Sequence, residues 1–371
     1  MKKTVKANMS NKEDESTTIE GIVCPVPLTH NRKIVLGHGS GGKMSQDLIS
    51  RLFLPPFDNP ALRAGDDAGV VQTSEVDRLA ISTDSHVVWP LFFAGGDIGR
   101  LAVCGTVNDV AMMGANPQYL TAGFILEEGV EMSVLERIVA SMQAAAVEAG
   151  VQIIAGDTKV VQKGKADGVY INTAGFGTLS PGISIGGACA RPGDSVLLSG
   201  PIGDHGIAVL CARGELGFNA EVLSDIAPLN HLVAAMIQAG KSGYPQNAIH
   251  VLRDPTRGGV ATALNEIARQ SKVAIVINEK TIPVRPAVAA ACEMLGLDAL
   301  YIANEGKLLA IVDPEAVDQV LMAMRNTHYG EETVIIGRVQ ESPQGRVLMK
   351  TAIGSTRVVD VLAGEMLPRI C

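Results

Sequence analysis

The chain ends on a thiol. After Gly364 it runs Glu365-Met366-Leu367-Pro368-Arg369-Ile370-Cys371, and a cysteine in last place has no downstream chain to hold it in a core. It rides on a tether that spans about 23–25 Å when extended, stiffened by Pro368 and carrying the fixed charge of Arg369 near the sulfur. Such a sulfur can be presented in more than one place, which suits a carrier; a frayed end is the alternative. A second stretch with chemical potential is Gly37-His38-Gly39-Ser40-Gly41-Gly42-Lys43, where glycines let backbone N–H groups approach a phosphate. It nearly matches the phosphate-loop pattern G-x-x-x-x-G-K over 37–43, through Gly37, Gly42 and Lys43 with Gly41 inside it, but Met44 stands where a Ser or Thr would reach magnesium. The stretch therefore reads as a loop that touches polyphosphate without being a P-loop, or as a flexible turn.

A third group is a set of carboxylates at element ends. Asp66 and Asp67 follow Gly65, Asp84 closes a strand ending at Thr83, Asp109 lies in an apolar helix, and Asp254 opens Asp254-Pro255-Thr256-Arg257-Gly258-Gly259. Magnesium takes one or two protein carboxylates per ion, with phosphate and water completing the octahedron. Acids on separate elements could hold two ions against ATP. Taken singly each could also be a cap or turn residue, and Asp254 could cap the helix starting near Thr256. Asp109 resists that reading, because an unpaired charge in an Ala/Val helix is costly. Ala155-Gly156-Asp157-Thr158-Lys159 reads as a strand end turning into a charged loop, its lysine a phosphate holder or a base. Ala303-Asn304-Glu305-Gly306-Lys307 supplies a glutamate ahead of an apolar strand.

The elements that must position these groups alternate along the chain. Residues 1–32 are polar and Pro-bearing, without periodicity, and read as a flexible extension. A short strand at Lys33-Ile34-Val35-Leu36 leads into the glycine-rich loop. Strands follow at Val70-Val71, 79–83, 119–126, 151–155 and 169–177, with helices at about 96–113 and 133–149. Arg191-Pro192-Gly193-Asp194 reads as a turn at a domain boundary, after which helices (about 204–213, 230–239, 258–270, 287–295, 315–326) again alternate with strands (195–199, 273–277, 307–312, 333–338, 346–351). The expected fold is α/β (α+β) in two domains, 33–185 and 190–352, with a flexible tail over 353–371.

Composition narrows the function. At 371 residues and 47% hydrophobic content the chain can bury a sizeable core, and a net charge of −8 without a basic block argues against nucleic acid or an anionic membrane as partner. No targeting sequence or 18-residue apolar run stands out, so a cytoplasmic protein is expected. Cys24, Cys104, Cys189, Cys211, Cys292 and Cys371 show no paired spacing, which excludes a disulfide framework or a zinc site. Cys104, Cys211 and Cys292 fall in apolar helical patterns and read as small hydrophobes.

Together the motifs resemble those of the HypE family of hydrogenase maturation factors, within the PurM-like ATP-binding superfamily. The resemblance covers about residues 33–371 and rests on Gly37–Lys43, Gly65-Asp66-Asp67-Ala68, Thr83-Asp84, Asn108-Asp109-Val110-Ala111-Met112-Met113-Gly114-Ala115, Gly156-Asp157-Thr158-Lys159, Asp254–Gly259, Asn304-Glu305-Gly306 and the terminal Pro368-Arg369-Ile370-Cys371. It implies a two-domain PurM-like fold that dimerises through its N-terminal α/β domain and binds ATP and magnesium near that interface. It further implies that HypF carbamoylates the terminal Cys371, that ATP drives dehydration of the thiocarboxamide to a thiocyanate, and that the cyanide passes to iron on a HypC–HypD complex. Carried onto this chain, the metal ligands would be Asp67, Asp84, Asp109 and Asp254, with Asp84 also serving nucleotide binding. Lys43, Gly41, Gly42, Gly156 and Thr158 would lie near phosphates, Lys159 and Glu305 would flank the substrate group, and Glu305 would be the base. The tail must visit three partners, so part of 364–371 is expected to move, hinged at Gly364, and to leave its site when no nucleotide is bound. Other PurM-like enzymes, the selenophosphate synthases, thiamine-phosphate kinases and aminoimidazole ribonucleotide synthases, need no terminal thiol. The first usually carries Cys or selenocysteine in its glycine-rich loop, which residues 37–43 lack. A non-enzymatic iron scaffold would need ligands beside Cys371, which seven scattered histidines do not supply.

Overall fold

The computed structural model describes residues 34–39, 41–74, 78–214, 221–241, 247–362, 367 and 369–371. The extension 1–32, Ser40, the hinge position Gly364 and Pro368 lie outside these residues. The expected strand into the glycine-rich loop is instead a 3-10 turn, Leu36–Gly39, because the segment closes on itself. The backbone N–H of Val35 meets His38 Nδ1 at 3.1 Å, and the N–H of His38 donates to the Val35 carbonyl at 3.0 Å. Helix α1 (Lys43–Leu48), a π-helical turn (Ile49–Phe53) and short helices α2 (Leu54–Phe57) and α3 (Pro60–Ala64) follow.

The first half builds a five-stranded sheet from β1 (Gly69–Gln72), β2 (Arg78–His86), β5 (Asn116–Glu127), β6 (Gln152–Val161) and β7 (Val169–Leu179), in the order β1-β2-β7-β5-β6. A small hairpin, β3 (Phe92–Phe93) with β4 (Gly96–Asp97), leads into α4 (Ile98–Met112), and α5 (Met132–Ala149) connects β5 to its parallel neighbour β6. Helix α4 starts where Asp97 accepts from the backbone N–H groups of Gly99 and Arg100, at 2.7 and 3.0 Å. Its small residues Gly99, Ala102, Gly105 and Ala111 let it press against sheet and α5 at once, so it is buried on every side.

The second half holds a seven-stranded sheet, β14-β13-β10-β12-β8-β11-β9. Its strands are β8 (Ser195–Leu198), β9 (Ile249–Arg253), β10 (Ala274–Asn278), β11 (Leu309–Val312), β12 (Val334–Gln340), β13 (Arg346–Lys350) and β14 (Thr356–Val359). Helices α6 (Asp204–Ala212), α7 (Asn230–Lys241), α8 (Gly259–Ser271), α9 (Pro286–Leu295) and α10 (Val317–Arg325) accompany them. Cys104 and Cys292 are buried as small hydrophobes, whereas Cys211 is partly exposed.

One strand is longer than its sequence suggests. The expected loop at Gly156–Lys159 continues β6 to Val161, paired in parallel with β5. Gly156 allows this, because a Cβ there would lie 2.7 Å from the Ala122 carbonyl. As an edge strand, exposed almost throughout, β6 shows no alternation of apolar and polar residues to reveal it. Close approach also governs β7 under α4: a Cβ on Gly177 would fall 2.5 Å from Val110 Cγ1 and 2.8 Å from the Asn116 carbonyl. Gly177→Ala should therefore destabilise the fold by about 1–3 kcal/mol in urea titrations. An unchanged midpoint would show that helix and sheet do not meet as described.

Candidate active site

Residues on one face of β2 begin the site. Ser82, Asp84 and His86 alternate along the strand and share the α4 side of the sheet. Ser82 Oγ lies 2.7 Å from Asp109 Oδ2 on α4 and 3.2 Å from the Asp67 carbonyl, tying three acidic segments together. His86 is buried, its Nε2 3.6 Å from Asp84 Oδ2, and burial keeps its imidazole below the usual range and hence neutral. From the second half, β9 delivers Arg253 and Asp254, and the loop before β11 delivers Glu305.

Electrostatics mark this as one site. Burial, reinforced by the charges of Asp254, Asp84 and Asp67, pushes Asp109 well above the carboxylate range. Asp254, buried and close to the charge of Asp67, is pushed up to about 8. Asp67 is raised to about 6, chiefly by burial, although Arg253 Nη1 pairs with it at 2.6 Å. Glu305 is 4% exposed, its Oε1 has no hydrogen-bond partner, and burial with the charges of Asp84 and Asp254 lifts it well above its usual value. Asp254 does not cap α8, whose N-cap is Gly258 without a side-chain bond. A cleft of about 160 Å³ runs between Gly41, Asp67, Arg253, Asp254 and Arg257. Gly41, at φ +76°, lies against Arg257, whose Nη1 donates to the Gly39 carbonyl at 3.0 Å. The glycine-rich loop thus forms one wall of the acid cleft. Among the described residues, the three metal-capable groups whose ligand atoms all lie within 4.8 Å of one another are Asp194, His250 and Asp313, elsewhere in the fold. Among the described residues, no three acids of the cleft come together that closely.

The remaining predicted residues lie outside this cluster. Lys43 opens α1 and its Nζ faces Asp360 Oδ2 at 3.5 Å, both half exposed. Gly42 is the N-cap of the same helix. Gly156, Thr158 and Lys159 sit on β6, three strands from β2, which is about 14 Å at the spacing of a sheet. Lys159 is 68% exposed and pairs with Asp157 on the same strand.

The terminus corrects the reading of a thiol held outside the core. The N–H of Val87 donates to a terminal carboxylate oxygen of Cys371 at 3.1 Å, and that of Trp89 to the carbonyl of Arg369 at 3.3 Å, so the last residues run beside the segment that leaves β2. Ile370 is 4% exposed in the core around α4, with Leu367 and Cys371 packed against it. The charge at Cys371 is the chief reason that Arg257 is held above its usual range, ahead of the contributions of Asp84, Glu305 and Asp109. Cys371 is therefore within electrostatic reach of Arg257, which lines the acid cleft. Residues that the sequence reading passed over include Arg253, His86, His205, Arg213 and Asp167. None of these has a local signature, whereas Arg257 stood inside the motif Asp254–Gly259 without being given a role.

The raised acids make stability depend on pH. Their folded-state proton affinity exceeds that of the unfolded chain, so their contribution is present below the unfolded carboxylate range and is lost as pH rises through about 6 for Asp67 and about 8 for Asp254. Without divalent cations, the chain should lose stability between pH 5 and 8.5. Asp254→Asn should become the more stable form at pH 8.5, by on the order of 1–3 kcal/mol, with the gap closing toward pH 5. Parallel denaturation curves at all pH values would show that Asp254 is not buried among like charges.

Comparison with known proteins agrees with this architecture. Residues 65–179 match the family "AIR synthase related protein, N-terminal domain" and residues 191–350 the corresponding C-terminal domain. The carbamoyl dehydratase HypE of Cupriavidus necator is 54% identical over 339 residues, covering 91% of this chain and 95% of that protein. A crystal structure of a HypE–HypF complex superposes with a TM-score of 0.80 at 48% identity, over 85% of this chain and 99% of the other. A crystal structure of hydrogenase maturation protein HypE in complex with ATP gives 0.75 at 49% identity, over 91% and 100%. With both domains matched and half of its residues shared across nine-tenths of its length, this chain belongs to the HypE family of hydrogenase maturation proteins, the carbamoyl dehydratases.

Proposed function

We propose that Cys371 accepts a carbamoyl group from HypF, that the chain dehydrates the resulting S-carboxamide to a thiocyanate using ATP, and that the cyanide then passes to iron on a HypC–HypD complex. The observation that carries this reading is the seat of Cys371 against Val87, with its charge acting on the same Arg257 that Asp84, Glu305 and Asp109 act on. Solved relatives in complex with ATP and with HypF supply two of the reactants. Oxide is a poor leaving group, so the carbamoyl oxygen must first become phosphate. That oxygen attacks the γ-phosphorus as the bond to ADP breaks; the C–O bond then breaks with phosphate as leaving group, and the nitrogen gives up both its protons. The change from –S–C(=O)–NH2 and ATP to –S–C≡N, ADP, phosphate and a proton is balanced.

The residues have distinct tasks in this scheme. Glu305, with a buried unpartnered oxygen and a raised proton affinity, receives protons from the nitrogen. Arg257 faces the negative charge that gathers on the transferred phosphoryl group. Gly41, Gly42 and Lys43 offer backbone N–H groups and a cation to the nucleotide. The donor set fits magnesium, since buried carboxylates that hold protons are those whose charge a hard cation relieves. Asp84, Asp109 and Asp254, with Asp67 beside them, would hold it. When bound, it supplies neutralisation of the triphosphate charge.

Thr158, Gly156 and Lys159 fit this scheme through a second copy of the chain. The β6 edge is unpaired and apolar, with Ile154 59% and Val160 67% exposed, which favours a homodimer across it. The site of one copy would then receive Lys159 and Thr158 from the other. Ile154→Asp should shift the chain from dimer to monomer in light scattering and lower ATP turnover; a stable dimer in this variant would place the interface elsewhere.

Cys371→Ala should fold and bind ATP yet gain no carbamoyl mass when incubated with HypF and carbamoyl phosphate, as read by intact mass. A mass gain in that variant would move the acceptor to another residue. Asp84→Asn should weaken magnesium-ATP binding about tenfold or more in calorimetry, with stability changed by less than about 1 kcal/mol. Unaltered affinity would return Asp84 to a structural role.

A further inference from the structure

The docked terminus is gripped from two sides. On the first are the residues after β2: the N–H of Val87 donates to the terminal carboxylate of Cys371, the N–H of Trp89 donates to the Arg369 carbonyl, and Arg369 Nε donates to the Val87 carbonyl at 3.1 Å. Arg369 also pairs with Asp167. On the second side is α6. Arg213, at the C-terminal end of this helix, donates from Nη2 to the Arg369 carbonyl at 2.9 Å and from Nε to the Trp89 carbonyl at 3.1 Å. His205 Nε2 lies 2.7 Å from the Ile370 carbonyl, next to the reacting residue.

The chemistry of His205 sets the direction of this contact. Its ring is fully buried and burial lowers its pKa, so the imidazole is neutral and carries a single proton. A carbonyl only accepts, so that proton is on Nε2. Nδ1 is then bare and accepts from Ser224 Oγ at 2.8 Å. Ser224 is itself placed by its N–H, which donates to the Ala94 carbonyl at 2.8 Å in the β3–β4 hairpin. Phe93 of that hairpin meets the His205 ring edge-on at 5.6 Å between centroids. A line of contacts thus runs from the hairpin through Ser224 and His205 to the peptide of Ile370. Arg369 holds φ +54°, a left-handed backbone conformation that non-glycine residues adopt only under constraint. Arg369 is therefore held in place against its own local preference.

We infer that His205, oriented by Ser224, together with Arg213 positions the terminal thiol at the acid cleft, and that opening the His205–Ile370 contact releases Cys371 to its partners. The inference rests on Cys371 being the carrier, but its labelling test needs neither HypF nor ATP. In the full-length chain, the rate at which maleimide labels Cys371, read by peptide mass, reports how often the tail leaves. Trp89, the only tryptophan, reports the same event through its emission. His205→Leu and Ser224→Ala should each speed labelling about tenfold or more and shift Trp89 emission, whereas His205→Gln, which keeps an N–H at the place of Nε2, should label at nearly the parent rate. A residue that only filled space would not be rescued by Gln. Arg213→Ala, on a partly exposed side chain, asks the same question if the His205 variants fold poorly. For protein already carbamoylated, His205→Leu should lower kcat for dehydration without changing KM for ATP. Parent-like labelling in folded His205→Leu or in Arg213→Ala overturns the inference. Faster labelling with no acceptance of carbamoyl on Cys371 would uphold the latch and overturn the carrier reading alone.

Discussion

Like charge in a poorly hydrated cleft is the constraint on which the rest of this protein depends. Asp67, Asp84, Asp109, Asp254 and Glu305 come from β2, α4, β9 and the loops beside them, and burial raises four of them. Such a group persists only where the surrounding fold is stable enough to hold it. Arg253 and Arg257 offset part of the repulsion, Arg253 through its 2.6 Å pair with Asp67 and Arg257 by facing Asp84, Glu305, Asp109 and the terminus. What is unfavourable for folding is useful for chemistry, since proton-holding carboxylates attract cations and a raised glutamate is a stronger base near neutral pH.

The fold meets that cost with tight packing. Helix α4 carries Asp109 through the core because its small residues bring backbone close to backbone, and because Asn108 next to it is bonded at both ends of its amide: Nδ2 donates to the Ala227 carbonyl at 3.0 Å and Oδ1 accepts from the Leu229 N–H at 2.8 Å. These bonds fasten α4 to the loop ahead of α7, so the two halves share one core around the acid cleft. Gly306, pressed against the Asp225 backbone, and the Glu305 N–H bond to Asp225 Oδ1 at 3.1 Å keep the glutamate in place in the same way.

The last residues of the chain pack onto this setting. The final three are held mostly through backbone carbonyls, by Val87, Trp89, His205 and Arg213, with Ile370 as the apolar anchor. Carbonyl contacts place the chain without depending on the group that the terminal sulfur carries.

Much of this was legible in the sequence. Apolar periodicity marks α4, α5, α8 and most strands, and the spacing of Gly41, Asp67, Asp84, Asp109, Asp254 and Glu305 shows that acids and a glycine-rich loop are available to a phosphate. Those features are local: a helical repeat, a turn or a cap is determined by neighbouring residues. Only the tertiary structure decided what meets what. It set Thr158 and Lys159 on a sheet edge about 14 Å from β2, where an exposed strand has no periodicity to declare itself. It closed the glycine-rich stretch on itself through His38, paired Asp67 with Arg253, and seated Cys371 beside Val87, 284 positions away in sequence, on the strength of a buried Ile370 and a neutral His205. Contacts across such separations depend on the packing of whole sheets and helices, and composition or spacing along the chain carries no record of them.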